Sequence, residues 1–487
     1  MDVRLGDGAS APVRLITCFE DEQPCLKGLP EPLAQLVGEA AESEAFAKKF
    51  GTSLVLTPGQ REAPRHIVLM GLGKASEFNA EKARRAAGKA FKEARKLKGA
   101  GLAIDCAGMM DKLDPRELGR ALAEGVSLAA YKFDKYIADR KENPVKEVII
   151  QGEGLEQGVN QGLVLAEATN LARRLTDEPA NVMTPAHLAR EAEEAGAKYG
   201  FSVQVRDEAG IRALGMEAFL AVAGASDNPP RLIVIRYQGD PGSDQVLALV
   251  GKGLTYDSGG LSLKTREGMN GMKGDMAGGA AVIGAMAAIA GLKVKANVVG
   301  IVAACENMVS GKAYRVNDIV GSMAGKSIEV LSTDAEGRLT LADAVYYAVT
   351  VEKATQVLDI ATLTGAALVT FGKITTAVLA NDDAFYAKLQ KAAELAGEGI
   401  WRLPHGDEFK ELIKSDLADL RNTSKDGAGT ITGGLFVGAF VKDKPWLHLD
   451  IAGTAWASSE GDYHPKGATG VGVRTMFHLA NTMSKGE

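Results

Sequence analysis

Uninterrupted apolar segments constrain the fold of this chain more than any other feature of its sequence. In the last two thirds of the chain they occur at residues 231–237, 245–250, 297–304, 327–331, 356–360 and 446–451. Helical segments accompany them at residues 186–199, 275–292, 339–351, 384–396 and 466–481. Strands without polar alternation need cover on both faces. The pattern therefore predicts an α/β fold with a mixed, largely parallel sheet flanked by helices.

The first third of the chain shows the same alternation on a smaller scale. Short β-prone runs occur at residues 13–19, 53–57, 67–72, 101–106 and 148–151, with helical segments at residues 80–97 and 115–136. A chain of 487 residues also exceeds the usual size of one domain. We predict an N-terminal α/β domain at residues 1–150, a linking helix at residues 151–175 and a larger α/β domain at residues 176–487.

Charge and composition argue against several classes of protein. The net charge of −6 and the pI near 5.7 give no general attraction to nucleic acid or to anionic lipid. The four cysteines lack the spacing of a zinc site or a disulfide framework, which favours reduced thiols. No secretory signal is evident, and the longest uncharged stretch, residues 276–292, is shorter than the roughly 20 residues that span a bilayer. We expect a soluble cytoplasmic protein without a membrane segment.

Charged residues are concentrated in loops that directly follow predicted strands. Two such loops, at residues 252–264 and 332–338, contain Lys252, Asp257, Lys264, Asp334, Glu336 and Arg338. Asp275 follows shortly after the first loop, and residues 361–365 form a third loop after a strand. Because ligands bind at the carboxyl ends of strands in such sheets, we expect these loops to converge on one edge.

The carboxylates among these residues indicate a metal centre. Asp257, Asp275, Asp334 and Glu336 would supply four negative charges, which nearly balance two divalent cations and would repel one another without them. Oxygen ligands with an amine suit Mg, Mn or Zn. The sequence contains neither H-E-x-x-H nor G-x-S-x-G, and residues 321–327 are one residue short of a phosphate-binding P-loop.

Each of these residues also has a structural interpretation. Asp275 would then cap the following helix, Lys252 would be a solvated lysine, and Asp334 with Glu336 would form an acidic turn held by Arg338. Taken singly these interpretations are favoured. The combination of the charges with neighbouring glycines, which permit close backbone approach, favours a functional site.

The same segments resemble the leucyl (cytosol) aminopeptidase family, the M17 metallopeptidases, from about residue 178 onward. The resemblance rests on residues 252–264, 272–276 and 333–339, with further similar stretches at residues 359–365, 401–404, 448–456 and 466–470. It implies that the domain at residues 176–487 is a dinuclear metallopeptidase domain. One departure is Ser332, where the family usually has Asn.

The resemblance assigns a role to each site residue. It implies two divalent metal ions, Mn or Zn, held by Lys252, Asp257, Asp275, Asp334 and Glu336, with Asp257 and Glu336 bridging. Lys264 and Arg338 would be catalytic, and a bicarbonate bound near Arg338 would act as the general base. The pocket for the first side chain of the substrate would be lined by Met272, Thr362, Leu363, Thr364 and Gly365.

The implied function is release of N-terminal amino acids, with Leu and other apolar residues preferred, from peptide substrates by a metal-bridged hydroxide. The resemblance also implies a cytoplasmic homohexamer.

Two alternatives remain from the residues alone. One is a nucleic-acid-binding role based on the basic run at residues 89–98, although a solvated helix face explains that run. The other is a dinuclear phosphoesterase, for which no added phosphate-binding loop is present.

Overall fold

The computed structural model describes residues 1–59, 64–424 and 426–483. The chain divides into two compact units. The first comprises residues 1–167 with 459–466, and the second comprises residues 168–458 and the chain from Gly467 onward. Within the described residues, no helix combines the length and the apolar character needed to cross a membrane.

The first unit is built on a sheet of six strands in the described part of the chain. They are β1 (Asp2–Leu5), β2 (Val13–Cys18), β3 (Ser53–Leu56), β4 (His66–Gly71), β5 (Gly101–Asp105) and β6 (Glu147–Gln151), in the order β1-β6-β5-β2-β4-β3. All neighbours are parallel except β3 and β4. Its helices are α1 (Glu31–Ala41), α2 (Ala80–Lys96) and α3 (Pro115–Ala129). Helix α4 (Glu156–Asp177) contains the boundary between the units.

Acidic residues of the segment 459–466 neutralise the basic face of α2. Glu460 lies 2.9 Å from Lys92 Nζ and 3.1 Å from Arg95 Nη2, and Asp462 lies 2.6 Å from Arg85 Nε. Two of the five basic residues in the run at residues 89–98, Lys92 and Arg95, are therefore paired with Glu460, so the run is only partly a solvated helix face. This pairing removes part of the charge on which the nucleic-acid alternative rested.

The second unit contains the larger sheet. In the described residues its strands are β7 (Ser202–Arg206), β8 (Arg231–Gln238), β9 (Val246–Asp257), β10 (Asn297–Asn307), β13 (Gln356–Ala361), β14 (Thr376–Ala380), β15 (Ile400–Arg402) and β17 (Trp446–Asp450). Their order across the sheet is β15-β14-β17-β13-β9-β10-β8-β7. Short strands outside it are β11 (Ile319–Val320), β12 (Ile328–Glu329), β16 (Leu420–Arg421), β18 (Trp456–Ala457) and β19 (Gly467–Ala468). The four central strands β17, β13, β9 and β10 are parallel.

Helices cover this sheet on both faces, as the apolar strands require. The helices of the second unit after α4, in the described residues, are α5 (Pro185–Tyr199), α6 (Glu208–Ala213), α7 (Glu217–Ala223), α8 (Arg266–Met269), α9 (Ala277–Gly291), α10 (Gly337–Thr350), α11 (Gly365–Phe371), α12 (Asp383–Ala396), α13 (Asp407–Glu411), α14 (Gly429–Gly438) and α15 (Val473–Met483). Of these, α8 and α13 are short and contain no buried residue. The predicted two-domain α/β class with mixed, largely parallel sheets is confirmed.

Helix α9 approaches the central sheet more closely than side chains would allow. A Cβ atom at Gly251 of β9 would lie 2.6 Å from the carbonyl oxygen of Gly278 in α9. A Cβ atom at Gly278 would collide in turn with the carbonyl oxygen of Ile360 in β13. The absence of side chains at these glycines brings the start of α9, and Asp275 just before it, against the carboxyl ends of the strands.

Three predicted elements differ clearly from the observed ones. The strand predicted at residues 327–331 is only the two-residue β12, which lies outside the larger sheet. The helix predicted at residues 466–481 begins only at Val473, because Gly467, Gly470 and Gly472 adopt positive φ angles that a helix cannot contain. The helix predicted at residues 115–136 ends at Ala129. Its predicted start is correct, since the Asp114 side chain accepts hydrogen bonds from the first turn.

Candidate metal centre and active site

The twelve residues predicted for the site all line one cavity of about 680 Å³ in the second unit. Strand β9 ends at Asp257, and its parallel neighbour β13 leads into the loop at residues 362–365. The loop after β12 brings in residues 332–336, and the turn before α9 brings in Asp275. The predicted convergence at the carboxyl edge of the sheet is therefore observed for the loops after β9 and β13. Two details differ from the prediction: Lys252 lies within β9, and the loop after β12 comes from a separate three-stranded sheet.

Lys252 lies at the bottom of this cavity, buried among carboxylates. Its Nζ atom is 2.7 Å from Asp275 Oδ2 and 2.8 Å from Glu336 Oε1, and it donates to the carbonyl oxygen of Thr362 at 3.1 Å. Burial alone would lower the pKa of Lys252, but the nearby carboxylates outweigh it and raise the pKa above its ordinary value. The side chain is only 3% exposed, so the interpretation of Lys252 as a solvated lysine is wrong.

Lys264 occupies the more open side of the cluster. Its Nζ atom is 2.8 Å from Asp257 Oδ2 and also contacts Asp334 Oδ1. Burial opposes the charge of Lys264, but the same carboxylates raise its pKa. The protein groups alone therefore arrange two ammonium groups between four carboxylates.

The carboxylates form a cluster whose charges oppose one another. Ligand atoms of Asp257, Asp334 and Glu336 all lie within 4.8 Å of one another. Burial, with the neighbouring negative charges, raises the pKa of both Asp275 and Glu336. Such a cluster disfavours its own ionised form unless cations compensate it.

Two buried carboxylate oxygens at the centre of the cluster, Oδ2 of Asp275 and Oε1 of Glu336, share the Lys252 ammonium at 2.7 and 2.8 Å and have no other donor among the described residues. A single ammonium leaves these buried oxygens with uncompensated negative charge. Together with an amine and two further carboxylates, they form a donor set that fits two divalent cations.

Asp275 does not have the capping role that was its structural interpretation. The cap position of α9 is Met276, without a side-chain hydrogen bond to the helix. Asp275 instead accepts a 2.7 Å hydrogen bond from Thr362 Oγ1 through its Oδ1 atom. Its side chain is therefore directed at the cavity and at the pocket loop.

Arg338 is a buried cation at the start of α10. Its Nη1 atom donates to the backbone carbonyl oxygen of Asn422 at 2.8 Å, while Nε has no hydrogen-bond partner. Burial lowers the pKa of Arg338, and nearby carboxylates act in the opposite direction. Among the described residues it forms no ion pair with Asp334 or Glu336, so the acidic turn held by Arg338 is not observed.

The loop at residues 362–365 forms one wall of the cavity and is fixed from behind by Asp450. Thr364 Oγ1 donates to Asp450 Oδ2 at 2.6 Å, and the Leu363 N–H donates to Asp450 Oδ1 at 3.2 Å. Thr364 also caps α11 by accepting from the Ala367 N–H. Apolar residues complete the wall: Met272, Leu363, Leu368, Ala452, Ala455 and Trp456.

Sequence reasoning missed Asn307, a polar residue that supports this site. Asn307 ends β10 and donates through Nδ2 to Asp257 Oδ1 at 2.8 Å and to the Thr333 carbonyl oxygen at 3.0 Å. The only signal was a polar residue at the end of a buried strand. Ser332, the one departure from the family pattern, accepts a 3.2 Å hydrogen bond from the Asp334 N–H through Oγ. The serine therefore supports the turn that holds Asp334.

Comparison with known proteins decides the family. The model of the cytosol aminopeptidase family, catalytic domain, matches residues 170–477, and that of the N-terminal domain of the same family matches residues 15–139. The chain belongs to the cytosol aminopeptidase family. Its members are hydrolases that act as aminopeptidases and depend on two metal ions, and this chain is such an aminopeptidase.

Relatives of known sequence or structure match nearly the whole aminopeptidase chain. A probable cytosol aminopeptidase of Clostridium perfringens is 49% identical over 97% of both chains, and one of Alkaliphilus oremlandii is 47% identical over 94% of both. A mutant of tomato leucine aminopeptidase has a TM-score of 0.89 at 33% identity, covering 99% of this chain and 96% of its own. The bottromycin maturation enzyme BotP in complex with Mn has a TM-score of 0.86 at 33% identity, covering 97% and 100%.

Proposed function

We propose that this aminopeptidase is a leucyl aminopeptidase that releases Leu and other apolar residues from the N-termini of peptides. The observation that carries the proposal is the buried cluster of Lys252 with four carboxylates, in which one ammonium is shared by an oxygen of Asp275 and an oxygen of Glu336. It opens into a cavity with one apolar wall. This combination joins hydrolytic chemistry to recognition of an apolar side chain.

The proposed ligands divide into two overlapping sets. One cation would be held by Lys252, Asp257, Asp275 and Glu336, and the other by Asp257, Asp334 and Glu336. Mn and Zn both suit these oxygen and nitrogen donors. When bound, the two cations supply Lewis acidity and a water that is nucleophilic near neutral pH.

The chain's own residues then determine what happens around the scissile bond. Lys264 would donate to the substrate carbonyl oxygen as negative charge develops there, a contribution typically worth about 3 kcal/mol for each such donor. Lys252 must be neutral to act as a ligand, and cations in the site would favour that form by opposing its positive charge.

Arg338 provides the proposed site for a small anion such as bicarbonate. Its Nη1 atom is held by Asn422, which fixes the guanidinium plane while Nε has no hydrogen-bond partner. A guanidinium offers paired donors that match a planar oxyanion. An anion held there would accept a proton during the reaction.

Recognition of the substrate would combine a free α-amine with the apolar wall. The amine must be neutral to bind a cation. Because an internal amide nitrogen has no available lone pair, only the N-terminal amine can bind in this way, and cleavage is restricted to that end of the peptide. The first side chain would pack between Met272 and the loop at residues 362–365, where Leu363 is the largest apolar residue of the loop. We expect small and charged first residues to bind less well, since they bury less apolar surface.

The test compares leucine, alanine and aspartate anilides with a phosphate ester as substrates. Each is assayed with the purified protein after chelation, and again after Mn or Zn is restored. We expect metal-dependent hydrolysis of the leucine anilide above the others, and none of the ester. Hydrolysis that survives chelation, or a preference for the ester, contradicts the proposal.

The family resemblance also motivates two proposals about the state of the protein. We propose that it assembles as a homohexamer and acts in the cytoplasm. Light scattering of the purified protein tests the first, because a particle of six 51.1 kDa chains is readily distinguished from a monomer. Cell fractionation tests the second.

A further inference from the structure

Asn422 forms a network of hydrogen bonds with the loop that contains Asp334 and Glu336. It is fully buried and directly follows β16, the strand that pairs in parallel with β12. The loop at residues 330–336 directly follows β12. Because the segments that follow β12 and β16 leave the same end of this short parallel pair, the Asn422 side chain lies alongside the loop.

Each half of the Asn422 amide bonds the loop twice. Oδ1 accepts from the N–H of Leu331 at 2.8 Å and of Ser332 at 3.4 Å. Nδ2 donates to the carbonyl oxygens of Ser332 at 2.7 Å and Ala335 at 3.3 Å. These bonds use both donors of the amide and both acceptor positions of its oxygen. A carboxylate would place an oxygen against two carbonyl oxygens.

Other bonds hold the loop at Val330 and Thr333. Val330 bonds the backbone of Asn317 and Asp318. Thr333 bonds residues 259–262, and its carbonyl oxygen accepts from Asn307 and Tyr314. Residues 330–336 have no regular secondary structure, and within the loop Ser332 accepts from the Ala335 N–H at 3.3 Å and the Asp334 N–H at 3.2 Å. The amide of Asn422 therefore fixes the backbone on both sides of Asp334, at Ser332 and at Ala335.

The backbone of Asn422 contacts the site as well. Its carbonyl oxygen accepts from Arg338 Nη1, while its N–H donates to the Glu329 carbonyl oxygen of β12 at 3.0 Å. These two bonds do not depend on the identity of the side chain. A substitution at Asn422 therefore changes the support of the loop and leaves the acceptor for Arg338 in place.

We infer that Asn422 is a positioning residue of the aminopeptidase reaction, whose side-chain amide sets the placement of Asp334 and Glu336 relative to Asp257 and Lys264. The inference rests on the proposed roles of those residues. Loss of a residue that orients metal ligands typically lowers metal affinity or activity by about 10- to 100-fold. Asn422 itself does not contact the substrate, so its effect on turnover is indirect.

The chain offers a matched control in Asn297, another buried asparagine that bridges backbone groups. Its Nδ2 atom donates to the carbonyl oxygens of Asp240 and Ser243, both at 2.8 Å, and its Oδ1 accepts from the Asp240 N–H at 3.0 Å. Asn297 is the first residue of β10, at the end of the strand opposite the cavity. An Asn→Asp change there alters the same chemistry far from the site.

The experiment compares Asn422→Asp and Asn297→Asp with the unmodified protein. Melting temperature, Mn affinity by calorimetry, and kcat and KM for a leucine anilide at saturating Mn are measured. We expect both variants to lose stability, but only Asn422→Asp to lower kcat, by about tenfold or more, with a smaller change in KM. A kcat within twofold of the unmodified protein, or an equal loss in Asn297→Asp, overturns the inference.

Hydrogen exchange keeps the inference testable if Asn422→Asp does not fold. In the unmodified protein, the amides of Leu331 and Ser332 should exchange slowly because Asn422 holds them. Rapid exchange of both contradicts the inference without any variant. If the unmodified protein hydrolyses no anilide, the proposed function fails, while slow exchange would still show that Asn422 holds the loop.

Discussion

Oγ1 of Thr362 donates a 2.7 Å hydrogen bond to Oδ1 of Asp275 and so joins the pocket loop to a proposed metal ligand. The same Thr362 accepts from Lys252 through its backbone carbonyl oxygen. One residue of the loop at residues 362–365 is thus bonded to two of the groups proposed to hold the cations. The proposed substrate pocket and the proposed metal centre share this contact.

Thr362→Val tests this contact, because valine has nearly the shape of threonine but no hydroxyl. Oδ1 of Asp275 would lose the Thr362 donor, and an unsatisfied buried acceptor costs about 1–3 kcal/mol. We expect Mn affinity to fall by about tenfold, measured by calorimetry, with little change in fold. Thr370→Val in α11, whose hydroxyl donates to the Ala366 carbonyl oxygen of its own helix, is the control and should bind Mn normally. Equal Mn affinity in the two variants would mean that the Thr362 hydroxyl has no effect on the ligand.

Glu336→Ala should lose metal and activity together. A ligand shared by both cations leaves neither set of ligands complete when it is removed. Metal content by mass spectrometry and anilide hydrolysis are the two measurements. A variant that retains two ions for each chain and normal turnover rules out the bridging assignment.

Lys264→Ala and Arg338→Ala should instead keep both metals. Their positive charges are proposed to act on the transition state, so we expect kcat to fall by about a hundredfold or more. Circular dichroism and metal analysis verify that fold and metal content are unchanged. Loss of metal comparable to that of Glu336→Ala would assign these residues a structural role.

Activity should increase as the pH rises into the alkaline range and should require a free amine. The α-amine has an unperturbed pKa of about 7.7 to 8.0 and must be neutral to bind a cation. Leu-anilide and its N-acetyl derivative are compared across this range. The acetylated compound should be refused although its side chain still fits the pocket, and comparable rates for the two would exclude anchoring by the amine.

Asp343 should make the stability of the protein depend on pH. Its two carboxylate oxygens accept from the N–H groups of Phe219 and Met323, but burial raises its pKa from 3.8 to about 7. The folded state therefore holds a proton that the unfolded state has lost, and the contribution falls as pH rises from about 4 to about 7.

Asp343→Asn removes this titration and provides its test. The difference in melting temperature between the unmodified protein and Asp343→Asn should be most favourable to the unmodified protein near pH 4 and should decline toward pH 8. A difference that stays constant over this range contradicts the pKa assigned to Asp343.

The sequence predicted the fold and the candidate site best where neighbouring residues alone carry the pattern, as in apolar strands and the charged residues that follow them. Apolar strands such as residues 297–304 were recognised because burial on both faces removes their polar residues. The ligand candidates were recognised because charge is rare directly after such strands. Asn422 gave no such signal, since its importance depends on a pairing of two-residue strands some 90 residues apart.

Edge elements were missed for a similar reason. Strands β14 and β15 are short and their sequences resemble many loops, so only pairing defines them, β14 with β17 and β15 with β14. The glycines of residues 467–472 carry backbone angles that composition alone does not specify. Long-range pairing and backbone conformation therefore limited the prediction more than hydrophobic patterning did.

The contact of Gly251 with α9 has a consequence for attempts to redesign the enzyme. Main-chain atoms, and not side chains, set the spacing between the strand that ends at Asp257 and the helix that follows Asp275. No substitution can shorten that spacing, and any larger residue at Gly251 would lengthen it. Variants selected for a cation of different radius should therefore accumulate changes around residues 330–336 and leave Gly251 and Gly278 untouched.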